Sequence, residues 1–527
     1  MVIYRVPQRL GPKEIDMTVV AGGEDPSLVN LVDLADYPRD DLGYPRSAIT
    51  PGIMHFGFGN FHRSHQANYL HRLQQGQDAS DWGICGVGIL DSDANMRDAM
   101  RAQDCLFTVI ERHPDGGLDV EVVGSVIEYC YAPEDPQAVL DRLADPRIRI
   151  VSLTVTEGGY LRDPATGRFD PQHRDVLHDA QHPDTPVTAF GYIVEGLRRR
   201  RMLDQAPFTV MSCDNLQGNS DAAREAILGI ARLREAGLAE WITANVAFPN
   251  GMVDRITPAT TDADRATLAR DFGITDRWPV PCEPFTQWIL EDHFPAGRPD
   301  LAAVGVQFVD DVQPYEFMKL RLLNASHQAL AYLAGPAGYR LVDEAMRDES
   351  IRSFLRAYMQ REARPTLGPL PGVDVDAYID MIIERFSNPQ IMDTVLRLAT
   401  DSTNRIATFV IPVIAENLEA GRSIDLGATV IAAWAEYWAA IERGEIPAPL
   451  VPEDRFADTL RRLAVDNDPE AFAGDRTLVG ALADSEQFRQ SVARQRHRLM
   501  AAGMPATVAR LLAEPESGPS TANPPRQ

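Results

Sequence analysis

The chain has 527 residues, 44% hydrophobic and 24% charged, with 51 Lys and Arg against 76 Asp and Glu, for a formal charge of −25. That length calls for two domains in place of one core, and the acidic balance argues against a nucleic-acid backbone as partner. No apolar run reaches the roughly 18 residues of a membrane span, and the opening MVIYRVPQRLGPKEIDM lacks the charged-then-apolar pattern of a secretory leader. Cys85, Cys105, Cys130, Cys213 and Cys282 are scattered without a CxxC pair. Such a set suits neither a disulfide framework nor a structural zinc site and predicts reduced thiols in a cytoplasmic protein.

Residues 1–48, rich in Asp, Pro and Gly with weak periodicity, read as an N-terminal extension. From 49 to 308 short β-rich runs (GIMHFGFG, WGICGVGIL, IRIVSLTVT, FTVMSCD) alternate with helical ones (FHRSHQANYLHRLQQ, PQAVLDRLAD, SDAAREAILGIARLREAGL). That alternation predicts βαβ units around a parallel sheet, a Rossmann-type α/β domain. From 309 to 513 strands nearly vanish, and SIRSFLRAYMQREAR, DAYIDMIIERFS and GATVIAAWAEYWAAIERG predict a mostly α-helical C-terminal domain. Residues 514–527, dense in Pro and Ser, read as a disordered tail.

The first strand ends in Gly57-Phe58-Gly59 and runs into a helix, the arrangement that brings backbone amides to a pyrophosphate. His62 stands where the third glycine of GxGxxG would be, so the fingerprint is partial. The next strand ends at Asp91-Ser92-Asp93, where a carboxylate would accept from an adenosine ribose hydroxyl and repel a 2′-phosphate, favouring NAD. Gly86-Val87-Gly88 precedes acids and not a helix start, and reads as a strand with close backbone packing. His62 and His65, three apart, read as a helix face near the cofactor in preference to a metal pair. Glu157 in SLTVTEGGY and Asp214-Asn215 in MSCDNLQGNS follow strands, where open α/β sheets bind ligands; either is equally readable as a cap or turn former.

Only two residues are lysine, Lys13 and Lys319; every other strong cation is arginine. Lys319 lies in PYEFMKLRLLNASHQALAYL, an apolar helical stretch, and at about 100° per residue Lys319, His327 and Asn324 fall near 0°, 80° and 140° on a wheel. Polar groups on a buried helix need partners or a cavity, so these three suggest the wall of a polar pocket. Guanidinium cannot release its proton at useful pH, whereas a desolvated ammonium can serve as a general base. The competing reading pairs Lys319 with Glu316 or lets it reach out from a helix end.

GFGNFHRSHQA, CGVGILDSD, RIVSLTVTEGGY, FTVMSCDNL, FPNGMVDRITP, CEPFTQWILED, GVQF-DDV-PYE-MK and LLN-SH-AL occur in order, and over residues 50–510 the chain resembles the polyol-specific long-chain dehydrogenase (mannitol dehydrogenase) family. The resemblance implies a metal-independent oxidoreductase with a Rossmann-type domain, a helical domain and the active site between them. It implies NAD held by Gly57, Phe58, Gly59, Phe61 and Asp93. Lys319 would be the general base, Asn215 and Asn324 an oxyanion pair, and His327 a polyol-orienting residue. Glu157 would relay protons, and Asp254, Arg397 and Arg405 would contact substrate or support the site. Arg405 stands where a lysine would be unsurprising. The implied reaction is oxidation of a sugar alcohol at C2, foremost D-mannitol to D-fructose, by a monomer or weak oligomer. The alternatives are a fructuronate or tagaturonate reductase, an arabinitol or sorbitol dehydrogenase, and a catalytically silent NAD-binding regulator.

Overall fold

The computed structural model describes residues 31–162 and 167–514. Residues 1–30, with most of the expected extension and Lys13, and the expected tail from 515 lie outside the described residues. The chain forms two compact units that divide between Gln313 and Pro314.

The first unit is built on five parallel strands: β1 (Pro51–Phe56), β2 (Gly83–Gly88), β3 (Val126–Tyr131), β4 (Ile150–Leu153) and β5 (Thr209–Ser212). Their order is β3-β2-β1-β4-β5. β1, β2, β4 and β5 are buried along their whole length, which explains their near-continuous apolar text. Alternate residues face opposite layers. Met54, Cys85 and Val151 pack under α4 (Pro136–Ala144), α5 (Ala189–Met202) and α6 (Asn219–Arg234). Ile53, Ile84 and Ile150 pack with residues of α2 (Gln66–Gly76), which follows the short α1 (Asn60–Ser64), and of α3 (Ala94–Ala102). This is a doubly wound Rossmann sheet, and its order reverses between β1 and β4.

Three features depart from the sequence reading. Residues 31–48 are not a bare extension: Leu34, Leu42 and Tyr44 form a small core with Leu106 and Val122, and Val32–Asp33 pairs with Ile274–Thr275. Their apolar residues are too irregularly spaced to show a period. Two three-stranded sheets flank the main one, centred on Phe107–Arg112 and on Gln287–Glu291. And Cys85 and Cys130, 45 residues apart in sequence, meet on adjacent strands with Sγ atoms 3.6 Å apart, although they are free thiols as expected.

The second unit is helical; among its described residues the sole β pairing is a bridge between Leu341 and Thr394. α7 (Gln313–Met318) leads into α8 (Ala325–Ala334), whose ten residues are all buried. α9 (Val375–Phe386), α10 (Val395–Ala399), α11 (Ser402–Arg405) and α12 (Asp425–Glu442) follow, and α13 (Glu486–Ala513) closes the unit. Trp434 and Trp438 of α12 are fully buried, as suits a helix apolar on all sides. No helix among the described residues is long and apolar enough to cross a membrane.

Three π-helical turns interrupt this unit, at Lys319–Asn324, Tyr358–Ala363 and Ile406–Val410, and the first packs against both others. Such turns are rare and gather at functional sites. The second carries Glu362, fully enclosed at the start of α12, where it accepts from the backbone N–H of Leu426 (2.8 Å) and Gly427 (2.7 Å). Burial, opposed by those two donors, lifts its carboxyl to about 8. The folded state thus holds this proton more tightly than the unfolded chain, and stability falls as pH rises from the ordinary 4.5 towards about 8. Glu362→Gln cannot ionise. In urea titrations its unfolding free energy is expected to fall less than that of the wild type between about pH 5 and pH 8; equal slopes would contradict this.

Candidate active site

The glycine turn sits where the strand order of the sheet reverses. Gly57 has φ +85°, and a Cβ there would stand 2.0 Å from the carbonyl oxygen of Thr154, just past β4. Thr154 donates from its N–H to Phe56 O (2.9 Å) and from Oγ1 to Gly57 O (2.7 Å), joining the ends of β1 and β4. Only glycine fits so close an approach. Gly59 is the open member: it is exposed, and the nearest heavy atom to a Cβ built there is Gly57 O at 3.8 Å.

Phe58 does not line this turn with its side chain. Its ring is buried edge-on to Tyr129 and Phe107, in the space a side chain at Gly86 would need (2.7 Å), which accounts for the glycine at that position of β2. Phe58 thus offers a ligand its backbone alone. Phe61 is half-buried and stacks on His65 at 5.0 Å. His62 and His65 diverge: His65 Nε2 lies 2.9 Å from Gln287 O, while His62 stacks on His55 at 3.4 Å. His55 bridges Ser152 and Thr154 at 2.8 and 2.9 Å, and burial lowers it to about 3, so a neutral ring supports the turn.

Asp93 lies past the end of β2. Its Oδ2 accepts from the N–H of Ile89 and Leu90 (3.0 Å each), which leaves Oδ1 for a ligand. Asp254 ends the strand Gly251–Asp254 and is buried. Its neighbour Arg255 is buried too, donating to Ser64 O at the end of α1 and to Glu111. Asn60 of α1 reaches Pro258 O and Thr260 on the same segment. The NGMVDRITP text therefore braces the helix behind the glycine turn.

Glu157 opens a short 3₁₀ turn, Glu157–Tyr160, just beyond β4, and Asn215 is exposed just beyond β5. Between β4 and that turn Thr156 adopts φ 60°, ψ 167°. A β-branched residue held there costs about 1–3 kcal/mol and persists only where its surroundings enforce it. Asp214 Oδ1 accepts from the N–H of Thr156 at 2.8 Å, a contact not legible in the sequence beyond the place of Asp214 after a strand. Asp93, Glu157 and Asn215 thus all follow carboxyl ends of the sheet, the face on which open α/β sheets bind ligands.

In the helical unit Lys319 and Asn324 are the first and last residues of a π turn, closed by the N–H of Ala325 on Leu320 O. The wheel expectation is corrected here. It placed them about 140° apart by assuming α geometry, whereas i→i+5 bonding widens the turn and brings residues five apart towards the same side. Lys319 and His327 are both buried, and His327 stacks on Phe386 with ring centroids 4.3 Å apart. Among the described residues Asn324 Oδ1, Ser326 Oγ and His327 Nε2 are buried with no hydrogen-bond partner. Burial, then the cations Arg397, Arg385, Arg405 and Lys319, hold the imidazole well below its usual 6.5 and hence neutral.

The expected arginines are partly occupied. Arg397 is held by Asp393 through Nε at 2.6 Å, and Arg405 donates to Arg397 O (2.9 Å) and Leu398 O (3.1 Å). Arg385 on α9 joins them. The sequence reading missed it, because an arginine near the end of an amphipathic helix carries no signal of what it faces.

Residues 51–303 match the family model of the mannitol dehydrogenase Rossmann domain, and 311–500 that of the mannitol dehydrogenase C-terminal domain. The chain belongs to the mannitol dehydrogenase family. Mannitol 2-dehydrogenase of Cereibacter sphaeroides is 44% identical over 472 residues, 89% of this chain and 98% of that protein. Among solved structures, Pseudomonas fluorescens mannitol 2-dehydrogenase in ternary complex with NAD and D-mannitol has a TM-score of 0.79 at 41% identity, covering 90% of this chain and 96% of that one. A substrate-free D-sorbitol dehydrogenase has a TM-score of 0.81 at 39% identity, covering 88% and 96%.

A Rossmann domain of this family needs a dinucleotide site, and the open Gly59 with the free oxygen of Asp93 fits one. Gly57→Ala tests the turn on which it rests. The added Cβ meets a backbone carbonyl at positive φ, so the variant is expected to lose more than about 2 kcal/mol of stability and to bind NADH at least tenfold more weakly. Thermal unfolding and NADH fluorescence titration read the two effects.

Proposed function

We propose that the protein catalyses the reversible NAD-dependent oxidation of a sugar alcohol at C2 to the ketose, with D-mannitol and D-fructose the leading pair. The observation that carries this reading is the π turn bearing Lys319 and Asn324, with Asn324 Oδ1 and His327 Nε2 buried beside it and without a partner among the described residues. Polar atoms left this way mark a place for a polyhydroxylated ligand.

NAD, when bound, supplies the hydride acceptor for the carbinol carbon. Gly57, Gly59 and the backbone of Phe58, with Phe61 and Asp93, would hold it, Asp93 accepting from a ribose hydroxyl. Lys319 takes the substrate hydroxyl proton in oxidation and returns it in ketose reduction, a task closed to arginine at working pH. The side-chain amides of Asn215 and Asn324 donate to the reacting oxygen as negative charge develops on it. Neutral His327 can both give and accept hydrogen bonds and so suits a polyol hydroxyl. Glu157 passes the proton from Lys319 to solvent, and Asp254, Arg397 and Arg405 support substrate placement.

The cations around His327 also suit a carboxylate substrate, the hexuronate reading. Arg397 is paired with Asp393, which favours the uncharged polyol. Five unpaired cysteines and a charge of −25 support a cytoplasmic protein, a monomer or weak oligomer that binds no nucleic acid.

NADH oxidation with fructose, xylulose, fructuronate and tagaturonate, repeated with NADPH, assigns substrate and cofactor; fructose with NADH is expected to give the highest kcat/KM. Lys319→Ala is expected to lower kcat by at least about 10³-fold with NADH affinity nearly unchanged. Near-wild-type turnover at neutral pH would refute the base assignment.

A further inference from the structure

We propose that Asp214 is a positioning residue whose carboxylate holds the strained turn at Thr156 and thereby sets the placement of Glu157 and Asn215. The inference rests on the polyol dehydrogenase reading for the roles of those two residues, and on geometry alone for the restraint itself.

Asp214 is buried at 6% exposure. Its Oδ1 accepts from Thr156 N–H at 2.8 Å, and its Oδ2 accepts from Val155 N–H at 3.1 Å and from the Tyr160 hydroxyl at 2.7 Å. Those donors bracket Glu157: two precede it and one closes the turn behind it. The backbone is left-handed on both sides as well, at Thr156 (φ 60°) and Leu161 (φ 56°), neither of them glycine. Between lie Gly158 and Gly159, which give the Glu157–Tyr160 turn little stiffness of its own. One enclosed carboxylate therefore holds both ends of an otherwise soft turn.

The same residue fixes the segment that follows it. The Asn219 side chain donates to Asp214 O at 3.0 Å and to Gly251 O at 2.7 Å, and its Oδ1 accepts from Gly251 N–H. Asp214 N–H donates to Ser212 Oγ, which also lies 2.5 Å from the Tyr160 hydroxyl. Through Asp214 and Asn219 the chain bearing Glu157, the chain bearing Asn215 and the strand ending at Asp254 form one hydrogen-bonded frame. Thr154, by contrast, is fixed by its own bonds to Phe56, Gly57 and His55, so the cofactor turn does not depend on Asp214.

The test is Asp214→Asn in the full-length protein. An amide of the same size puts an NH₂ against donors, so at least one of the three loses its acceptor. Misplacement on the ångström scale near reacting groups lowers rates by about 100-fold. We expect kcat for mannitol oxidation to fall about that much, KM for NAD to stay within about twofold, and the Val155 and Thr156 amides to exchange hydrogen at least about tenfold faster. Adding Thr156→Gly, which tolerates this φ, should recover about tenfold of the lost kcat, a rescue no general loss of stability would give. Should D214N fail to fold, Tyr160→Phe removes one donor and should show the same amide exchange with a smaller drop in kcat. Unchanged kcat in the variants, or loss of kcat without faster exchange at residues 155 and 156, would overturn the proposal. A wild type inert towards every polyol would instead refute the functional reading, and amide exchange would still decide whether Asp214 holds the turn.

Discussion

Burying a polar atom without a partner costs about 1–3 kcal/mol, and among the described residues the helical domain does so three times within four residues, at Asn324 Oδ1, Ser326 Oγ and His327 Nε2. Leucine or alanine would avoid that cost, and six of the ten residues of α8 are one or the other. The residues around them are arranged to keep those atoms in place. Lys319 and Asn324 begin and end a π turn, against which two further π turns pack, and His327 stacks on Phe386 and is kept neutral by burial and four cations. Such an arrangement is a set of fixed donors and acceptors, the kind of surface the proposed polyol substrate would need.

A second constraint of the same kind governs the Rossmann domain. Where the strand order reverses, the ends of β1 and β4 approach so closely that only glycine fits at position 57. That contact fixes the turn expected to carry NAD, and the segment leaving it, residues 154–156, runs directly into the turn of Glu157. The glycine turn and the turn of Glu157 are thus anchored to one stretch of backbone, with His55 and Thr154 on one side and Asp214 on the other. In the proposed reaction the two domains contribute distinct parts of the chemistry: the first the dinucleotide site and Asn215 at a strand end, the second Lys319 as base and His327 as polyol ligand.

The sequence conveyed the elements whose signals are local. The strands of the main sheet are apolar runs, so GIMHFGFG, WGICGVGIL and IRIVSLTVT were legible as strands, and their end positions marked Gly57, Asp93 and Glu157. Lys319 stood out because the chain uses arginine almost everywhere else. What was not legible depends on distant partners. The π turn was hidden because a wheel at 100° per residue assumes the geometry it is meant to test. Arg385 and Asp214 carry no local mark of what they face, and Leu34, Leu42 and Tyr44 find their core only through Leu106 and Val122 far along the chain. Phe58, expected at the cofactor, turned inward because the missing side chains at Gly86 and Gly88 leave room for its ring and that of Tyr129.

The central claim is that Lys319 works as an acid and a base. The pH dependence of kcat/KM, measured in both directions on the wild-type protein, tests it most directly. Oxidation of mannitol needs the neutral amine and should fall about tenfold per unit as pH drops below one apparent pKa; reduction of fructose needs the ammonium and should fall as pH rises. Mirror-image profiles would support the account. Profiles that are flat from about pH 6 to pH 10, or that run the same way in both directions, would contradict it.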